Sequence, residues 1–163
     1  MASLTDALVR QLLEGRYIAA LATENPDGSL HVVAVWYWFD GDHAFVATSS
    51  RSRKVKNVLA KQKASLMIDT RTPPVICGTS LAGTARVLTG DAAKKTIAAI
   101  HRKYLSESAL ADPRVGPVFA AMDDAVIEIT PVSVITWDSR ESDRRFFGGA
   151  FESNPNYRLP LQL

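Results

Sequence analysis

The sequence has little that would support a disulfide, a metal site or a membrane span. Cys77 is the single cysteine among 163 residues, which excludes an internal disulfide and favours a reducing compartment, the cytoplasm. The three histidines lie far apart without ligand spacing, so we expect no metal site. No stretch approaches the roughly 18 consecutive apolar residues of a spanning helix. Asp6 and Glu14 interrupt the N-terminal segment, unlike a signal peptide. The sequence therefore predicts a cytoplasmic protein without membrane contact.

The sequence also has little net charge. With a net charge of +2, the overall charge gives no reason to expect a nucleic acid or an acidic membrane as a partner. The composition, 47% hydrophobic and 22% charged, is that of a globular protein, and the length suits one domain. We assign residues 1–138 to that domain. Residues 139–163 are polar, rich in Arg, Gly, Asn and Pro, and form a C-terminal tail that either folds over a site or lacks order.

Hydrophobic periodicity predicts an order of helix, three strands, helix, two strands, two helices and two strands. Residues 30–39 form one long strand in this interpretation, Gly83 bends a later strand, and Pro131 separates the last two strands. Ala93, Ile97, Ile100 and Tyr104 form a helical stripe. We therefore predict a mainly β protein, a barrel of antiparallel strands with peripheral helices. No Gly-rich turn that could bind a dinucleotide is present.

One helix begins with cations and lacks acids. No acidic residue occurs between Asp42 and Asp69, and Ser52 is the natural N-cap of a helix whose first turn holds Arg53 and Lys54. The helix dipole disfavours each cation there by about 0.3 kcal/mol or more. A bound phosphate would reverse this cost, because free N–H groups, hydroxyls and cations then converge on one anion. A solvated basic helix start is the alternative from these residues alone, and a nucleic-acid patch is a third.

The same segment carries a family resemblance. The run ATSSRSRK over 47–54, followed by ASLMI from residue 64, resembles the pyridoxamine 5′-phosphate oxidase-like FMN-binding split-barrel family, including its deazaflavin-dependent reductase branch. Ser52, Arg53 and Lys54 match the Ser-Arg-Lys segment that holds the FMN phosphate in that family. Lys54 with Asn57 matches the Lys-x-x-Asn pattern of shorter members, some of which bind a deazaflavin coenzyme of the F-420 type. The likeness covers residues 17–137.

The resemblance implies a split β-barrel, a homodimer with the cofactor at the subunit interface, and the following cofactor-binding residues: Val33, Ala34, Val35, Trp36, Ala47, Thr48, Ser49, Ser52, Arg53, Lys54, Asn57 and Trp137. Strand 30–39 would cradle the ring. Its aromatic residues either stack on a ligand or pack in the core or a dimer contact. The arginine and lysine that true pyridoxamine phosphate oxidases carry in this strand are replaced, and their C-terminal Arg-x-His motif is missing. The vitamin-forming reaction is therefore not expected.

We accordingly predict an FMN-dependent oxidoreductase acting on a small organic substrate. The sequence contains no catalytic constellation, and we assign no catalytic residue. A deazaflavin-dependent reductase is the first alternative. A non-catalytic carrier or sensor of flavin or haem is the second, and a domain that binds a nucleic-acid or protein phosphate is the third.

Overall fold

The computed structural model of the protein describes residues 2–70 and 76–159. The helices are α1 (Ala7–Glu14), α2 (Arg53–Lys61), α3 (Gly90–Tyr104), α4 (Glu107–Ala111), α5 (Gly116–Met122), α6 (Ser139–Phe147) and α7 (Ala150–Ser153), followed by a short 3-10 turn at Pro155–Tyr157. The strands are β1 (Ala19–Glu24), β2 (Leu30–Val35), β3 (Trp38–Phe39), β4 (Ala44–Thr48), β5 (Lys63–Asp69), β6 (Cys77–Thr89) and β7 (Ala125–Asp138).

The strands form one antiparallel sheet whose two edges are joined by a very short piece of chain. The strand order is β2-β1-β5-β6-β7-β4-β3, so β2 and β3 lie at opposite edges although only Trp36 and Tyr37 separate them. Three residue steps span at most about 11 Å. The sheet must therefore roll until its edges approach each other. The result is a barrel left open between β2 and β3, which confirms the predicted split barrel with peripheral helices.

The interior of the barrel follows from strand alternation. Along β1, buried and half-buried residues alternate, as expected when one face of a sheet meets a core. Leu21, Leu66, Leu81 and Val134 are paired in register across four strands, and all are buried. Each such side chain contributes about 1.5–3 kcal/mol on burial. α1 adds Val9, Leu12 and Leu13 to the same core.

A second apolar cluster attaches α3 to the outside of the barrel. The predicted stripe is confirmed, because Ala93, Ile97 and Ile100 are buried against Phe45 and Val126. Strand β4 and the part of β7 that pairs with it, up to Ile129, are consequently covered on both faces. This packing places the C-terminal end of α3 beside the open seam of the barrel, where Tyr104 stacks on Trp36 and His101 meets Phe119 of α5.

Two strand predictions were wrong. Residues 30–39 do not form one strand, because Trp36 and Tyr37 leave the sheet: the Tyr37 hydroxyl donates to the carbonyls of Leu12 (2.5 Å) and Gly15 (3.0 Å). Pro131 does not divide the last strand, and β7 runs through it. β7 pairs with β4 only up to Ile129, so Pro131 lies where one side of the strand is free and its missing N–H is tolerated.

The predicted tail begins with helical structure. α6 follows β7 directly, and the Asp138 side chain caps it by accepting from the Arg140 N–H at 2.9 Å. Asp143 is buried and accepts from the N–H groups of Phe151 and Glu152, which ties α7 to α6. Phe146 and Phe147 are exposed. Residues 160–163 lie outside the described residues.

Within 2–70 and 76–159, no helix combines the length and the apolar character needed to cross a bilayer.

The bend at Gly83 yields a stability prediction. A register shift separates Ala82 from Gly83, and a Cβ atom on Gly83 would lie 1.9 Å from the Thr130 carbonyl oxygen. We expect Gly83→Ala to lower the free energy of unfolding by about 1–3 kcal/mol, because the β7 backbone has to move. Urea denaturation measures this. Thr84→Ala, at the exposed neighbouring position, is the control and should stay within about 0.5 kcal/mol of wild type. Equal stability of both variants would contradict the assigned packing.

Candidate functional site: a cleft at the start of α2

The turn between β4 and α2 is built from hydroxyl-bearing residues. Thr48 ends β4 and is buried, and its hydroxyl donates to the Ser52 hydroxyl at 3.2 Å. Ser52 caps α2 as predicted, since its side chain accepts from the Val55 N–H at 3.4 Å. The Ser52 N–H donates to the Ser49 carbonyl at 3.0 Å. Ser, Thr and their backbone therefore surround the first turn of the helix.

The first turn of α2 retains free donors. Among the described residues, the backbone N–H groups of Arg53 and Lys54 donate to no protein acceptor, as is usual at a helix N-terminus. The first turn contains no acidic residue that would use the positive end of the helix dipole. Free N–H groups and unopposed dipole charge form an environment that favours an anion.

The two predicted cations occupy different positions. Lys54 is half-buried and lines the cleft in front of the helix start, whereas Arg53 is exposed and does not line it. Burial lowers the pKa of the Lys54 ammonium, and the Asp123 carboxylate opposes that effect. A cation held out of water beside an anion-favouring helix start is better compensated by a bound anion than by solvent. Lys54 is thus the cation that faces the cleft.

The cleft encloses about 550 Å³ between the open edge of the barrel and α2, within the range of small-molecule sites. Most of its wall is apolar. The lining residues are Ile18, Ala34, Val35, Trp36, Ala47, Thr48, Ser49, Ser52, Lys54, Ile100, Phe119, Met122 and Asp123. A second cleft of about 760 Å³ adjoins it and shares Ile18 and Ala34. Val33 lines the second cleft.

Trp36 lines the cleft and is held by two aromatic neighbours. Its ring is stacked against Tyr104, with centroids 5.0 Å apart and an interplanar angle of 1°, and against Phe119, at 5.6 Å and 15°. These contacts fix the indole as part of the cleft wall. Tyr104 is itself held by a hydrogen bond of 2.6 Å from its hydroxyl to the Tyr17 carbonyl.

Three of the twelve predicted residues line neither cleft: Arg53, which is exposed as described above, Asn57 and Trp137. The Asn57 side chain is buried, and its Nδ2 donates to Thr23 Oγ1 (3.1 Å) and Asn25 Oδ1 (2.9 Å). It connects α2 to the turn after β1. Trp137 lies on the outer face of β7, where a Cβ atom on Gly78 would come within 2.0 Å of its ring. All three remain predictions as ligand contacts.

Sequence reasoning missed the far wall of the cleft. Asp123, Phe119 and Met122 come from α5 and the turn after it. Ser50 holds this turn in place by donating its N–H and its hydroxyl to Asp124, which lowers the pKa of that carboxyl. In the sequence alone, two adjacent acids at 123–124 are equally compatible with the end of a helix, and no local pattern distinguishes that from a site.

Within the parts of the chain that are described, no group of three or more His, Cys, Asp or Glu side chains could hold a metal ion.

Comparison with known proteins agrees with this architecture. The family model described as pyridoxamine 5′-phosphate oxidase matches residues 5–138. No curated protein matches the sequence. Among solved structures, an F420 reductase superposes with a TM-score of 0.62 at 20% identity, over 77% of this chain and 94% of that one. A conserved hypothetical protein from Mycobacterium tuberculosis superposes with a TM-score of 0.69 at 21% identity, over 87% of this chain and 88% of that one. General stress protein 26 from Bacillus anthracis superposes with a TM-score of 0.56 at 15% identity, over 79% of this chain and 90% of that one. At these identities the structures show the fold alone.

The buried amide of Asn57 yields a second prediction. Asn57→Ala leaves the Thr23 and Asn25 side chains without their shared donor, so we expect the free energy of unfolding to fall by about 1–3 kcal/mol. Urea denaturation measures it, with the exposed Lys56→Ala on the same helix as the control. Unchanged stability would show that these hydrogen bonds do not hold α2 to the barrel.

Proposed function

Since the chain belongs to the pyridoxamine 5′-phosphate oxidase family, we propose that it binds a flavin coenzyme that carries a phosphate group, in the cleft at the start of α2. FMN is our first candidate for this coenzyme. We further propose that it uses this coenzyme as an oxidoreductase acting on a small organic molecule. The observation that carries the proposal is the combination of free helix N–H groups, hydroxyls and one half-buried cation at the end of an otherwise apolar cleft.

The phosphate would occupy the polar end of the cleft. Ser49, Ser52 and Lys54 line this end, and the free N–H groups of the first helical turn lie beside it. Hydrogen bonds to a charged acceptor contribute about 1.5–3 kcal/mol each, more than neutral ones. Neutralisation by phosphate would also offset the unfavourable burial of the Lys54 ammonium. Arg53, on the exposed side of the helix, would contribute mainly through long-range attraction.

The flavin ring would lie along β2. This strand forms one edge of the sheet, so its outward backbone N–H and C=O groups are available to the polar rim of a flat ring. Val33, Ala34 and Val35 offer apolar contact along the same strand, and the stacked Trp36 closes one side. When bound, the coenzyme supplies the electron-transfer chemistry. The protein's residues hold the phosphate, orient the ring and keep water from it.

A deazaflavin coenzyme is the second candidate, favoured by the fold shared with an F420 reductase and by the second cleft that adjoins the first. A longer coenzyme could extend past Ile18 and Ala34 into that space. Absorption spectra of the protein titrated with each coenzyme separate the two candidates. A protein that binds neither at tens of micromolar would contradict the proposal.

Enzyme and carrier differ in turnover. The family and the fold are compatible with both. We expect the bound coenzyme to be reduced when NAD(P)H is added, or, for a deazaflavin, to pass its electrons to an organic acceptor. A bound coenzyme whose spectrum changes with neither reagent would identify a carrier or sensor.

A homodimer would complete the site. Ala34, Ala20, Met67, Ser80 and Ile135 are paired in register across β2, β1, β5, β6 and β7 and form a row on the outer face of the sheet. These residues are small or apolar, and Ile135 is 59% exposed. Ala34 belongs both to this face and to the cleft wall. A second copy seated on this face would reach the coenzyme, and Trp137, on the same outer face, would meet the partner.

The phosphate site is tested by Lys54→Met. We expect FMN affinity to fall by about 10- to 100-fold, because one charge-assisted contact is lost, while stability in urea is retained. Quenching of flavin fluorescence measures affinity. Riboflavin, which lacks the phosphate, should bind both proteins equally. The exposed Lys56→Met is the matched control. An equal loss of affinity for FMN and for riboflavin would show that Lys54 does not act on the phosphate group.

The dimer face is tested by Ile135→Glu. A charge in the middle of the outer row should disrupt association, since an unpaired buried carboxylate is strongly unfavourable. Sedimentation velocity measures the molecular mass, and we expect a dimer for wild type and a monomer with weakened FMN binding for the variant. Leu59→Glu, at the exposed side of α2, is the control. A monomeric wild-type protein would overturn this part of the proposal.

A further inference from the structure

A buried histidine lies directly behind the cleft wall. His101, on α3, is 5% exposed, and its Nε2 lies 3.0 Å from Oδ2 of Asp123. Its ring packs edge-on against Phe119, with centroids 5.5 Å apart. Asp123 in turn lines the cleft opposite Lys54. The imidazole is therefore connected to the cleft through a single carboxylate, and the phosphate site described above does not use it.

Three ionisable side chains set the charge of this end of the cleft: Lys54, Asp123 and His101. The other elements around the pair contribute no ionisable group to it. β4 (Ala44–Thr48) and α5 (Gly116–Met122) contain none.

The remaining charged residues nearby have other partners or face solvent. On α3, Arg102 is exposed, and Lys103 donates to the Leu13 carbonyl on the side of α1. On the turn after α5, Asp124 is bonded to Ser50 and attracted by Arg51. On β7, Glu128 is paired with Arg86. None of these groups faces His101, so its charge balance depends on Asp123, Lys54 and whatever the cleft binds.

A phosphate group bound in this cleft would be attracted by Lys54 and repelled by a nearby carboxylate. The dianion approaches Lys54 but also the Asp123 carboxylate, which lines the cleft opposite Lys54 and repels it. Added negative charge favours protonation of neighbouring groups. Histidine is the side chain whose charge changes most readily near neutral pH, and His101 already contacts Asp123. Coupling between two equilibria is reciprocal, so a proton on the pair must also strengthen phosphate binding.

We propose that His101 is a further positioning residue of this anion site: acting through Asp123, the pair takes up a proton when a phosphate group binds in the cleft. The proposal rests on the proposed function in that the ligand carries a phosphate. Phosphate binding is then expected to weaken as pH rises and the pair loses that proton. A histidine with a purely structural role would show no such dependence.

The direct test is NMR titration of the histidine rings of the wild-type protein, alone and saturated with FMN, between about pH 5.5 and 8.5. The chain has three histidines, and His31 and His43 serve as internal controls. We expect the His101 midpoint to rise by about half a pH unit or more on saturation while the other two stay in place. If the backbone signals of Ser52 and Lys54 shift with FMN but the His101 midpoint does not, this inference is overturned and the phosphate site stands. If no signal responds to FMN, both are overturned.

Asp123→Asn separates the electrostatic role from a structural one. Removing the repelling carboxylate should tighten FMN binding at about pH 8 by roughly threefold or more and flatten its pH profile. His101→Gln, which keeps a donor for Asp123 but cannot be protonated, should flatten the profile by weakening binding at about pH 6. Weaker binding of the Asn variant at every pH would contradict the proposal. The wild-type NMR result decides the question even if either variant fails to fold.

Discussion

The two-residue connection between β2 and β3 is the constraint on which the rest of the structure depends. Because Val35 and Trp38 belong to opposite edges of one sheet, the sheet has to roll, and its edges meet at Trp36 and Tyr37. Both residues are firmly held: the fully buried Tyr37 donates its hydroxyl to the carbonyls of Leu12 and Gly15 at the end of α1, and Trp36 stacks against Tyr104 and Phe119. This connection brings the edge of β2 opposite the end of β4 and so creates the cleft.

The anion-favouring end of the cleft is a consequence of where β4 stops. Thr48 and Ser52 bond to each other, so the chain turns sharply from the strand into α2 and aims the helix start at the open seam. Lys54 then lies in a half-buried position in which its charge has few solvent contacts. Asp123, fixed by the neighbouring contact between Asp124 and Ser50, supplies the opposing charge. The cleft is thus polar at one end and apolar elsewhere, which orients a ligand that is itself polar at one end.

The outer face of the sheet adjoins this cleft. Among the described elements, α1 packs on β3, β5 and β6, α2 on β1 and β6, and α3 on β3, β4, β6 and β7. The cross-strand row from Ala34 to Ile135 remains exposed or half-exposed. Small residues in such a row permit close approach of a second sheet. Ala34 belongs to this row and also lines the cleft. A split barrel of this kind therefore has an open seam and an open face side by side.

Local signals in the sequence determined α1, α2, α3, α5, most strands and their antiparallel pairing, the Ser52 cap and the α3 stripe, because periodicity and capping depend on residues within one or two turns of each other. They did not predict α4, or α6 and α7 in the segment interpreted as a tail. The family motif around Ser52 and Lys54 likewise occupies consecutive positions. Only the tertiary structure decided the break at Trp36, the continuity of β7 through Pro131, and the separate positions of Lys54 and Arg53. It also placed Asn57 against Thr23, 34 residues away, and His101 against Asp123. These features arise from contacts between distant segments, and such contacts are set by how the rolled sheet packs against its helices.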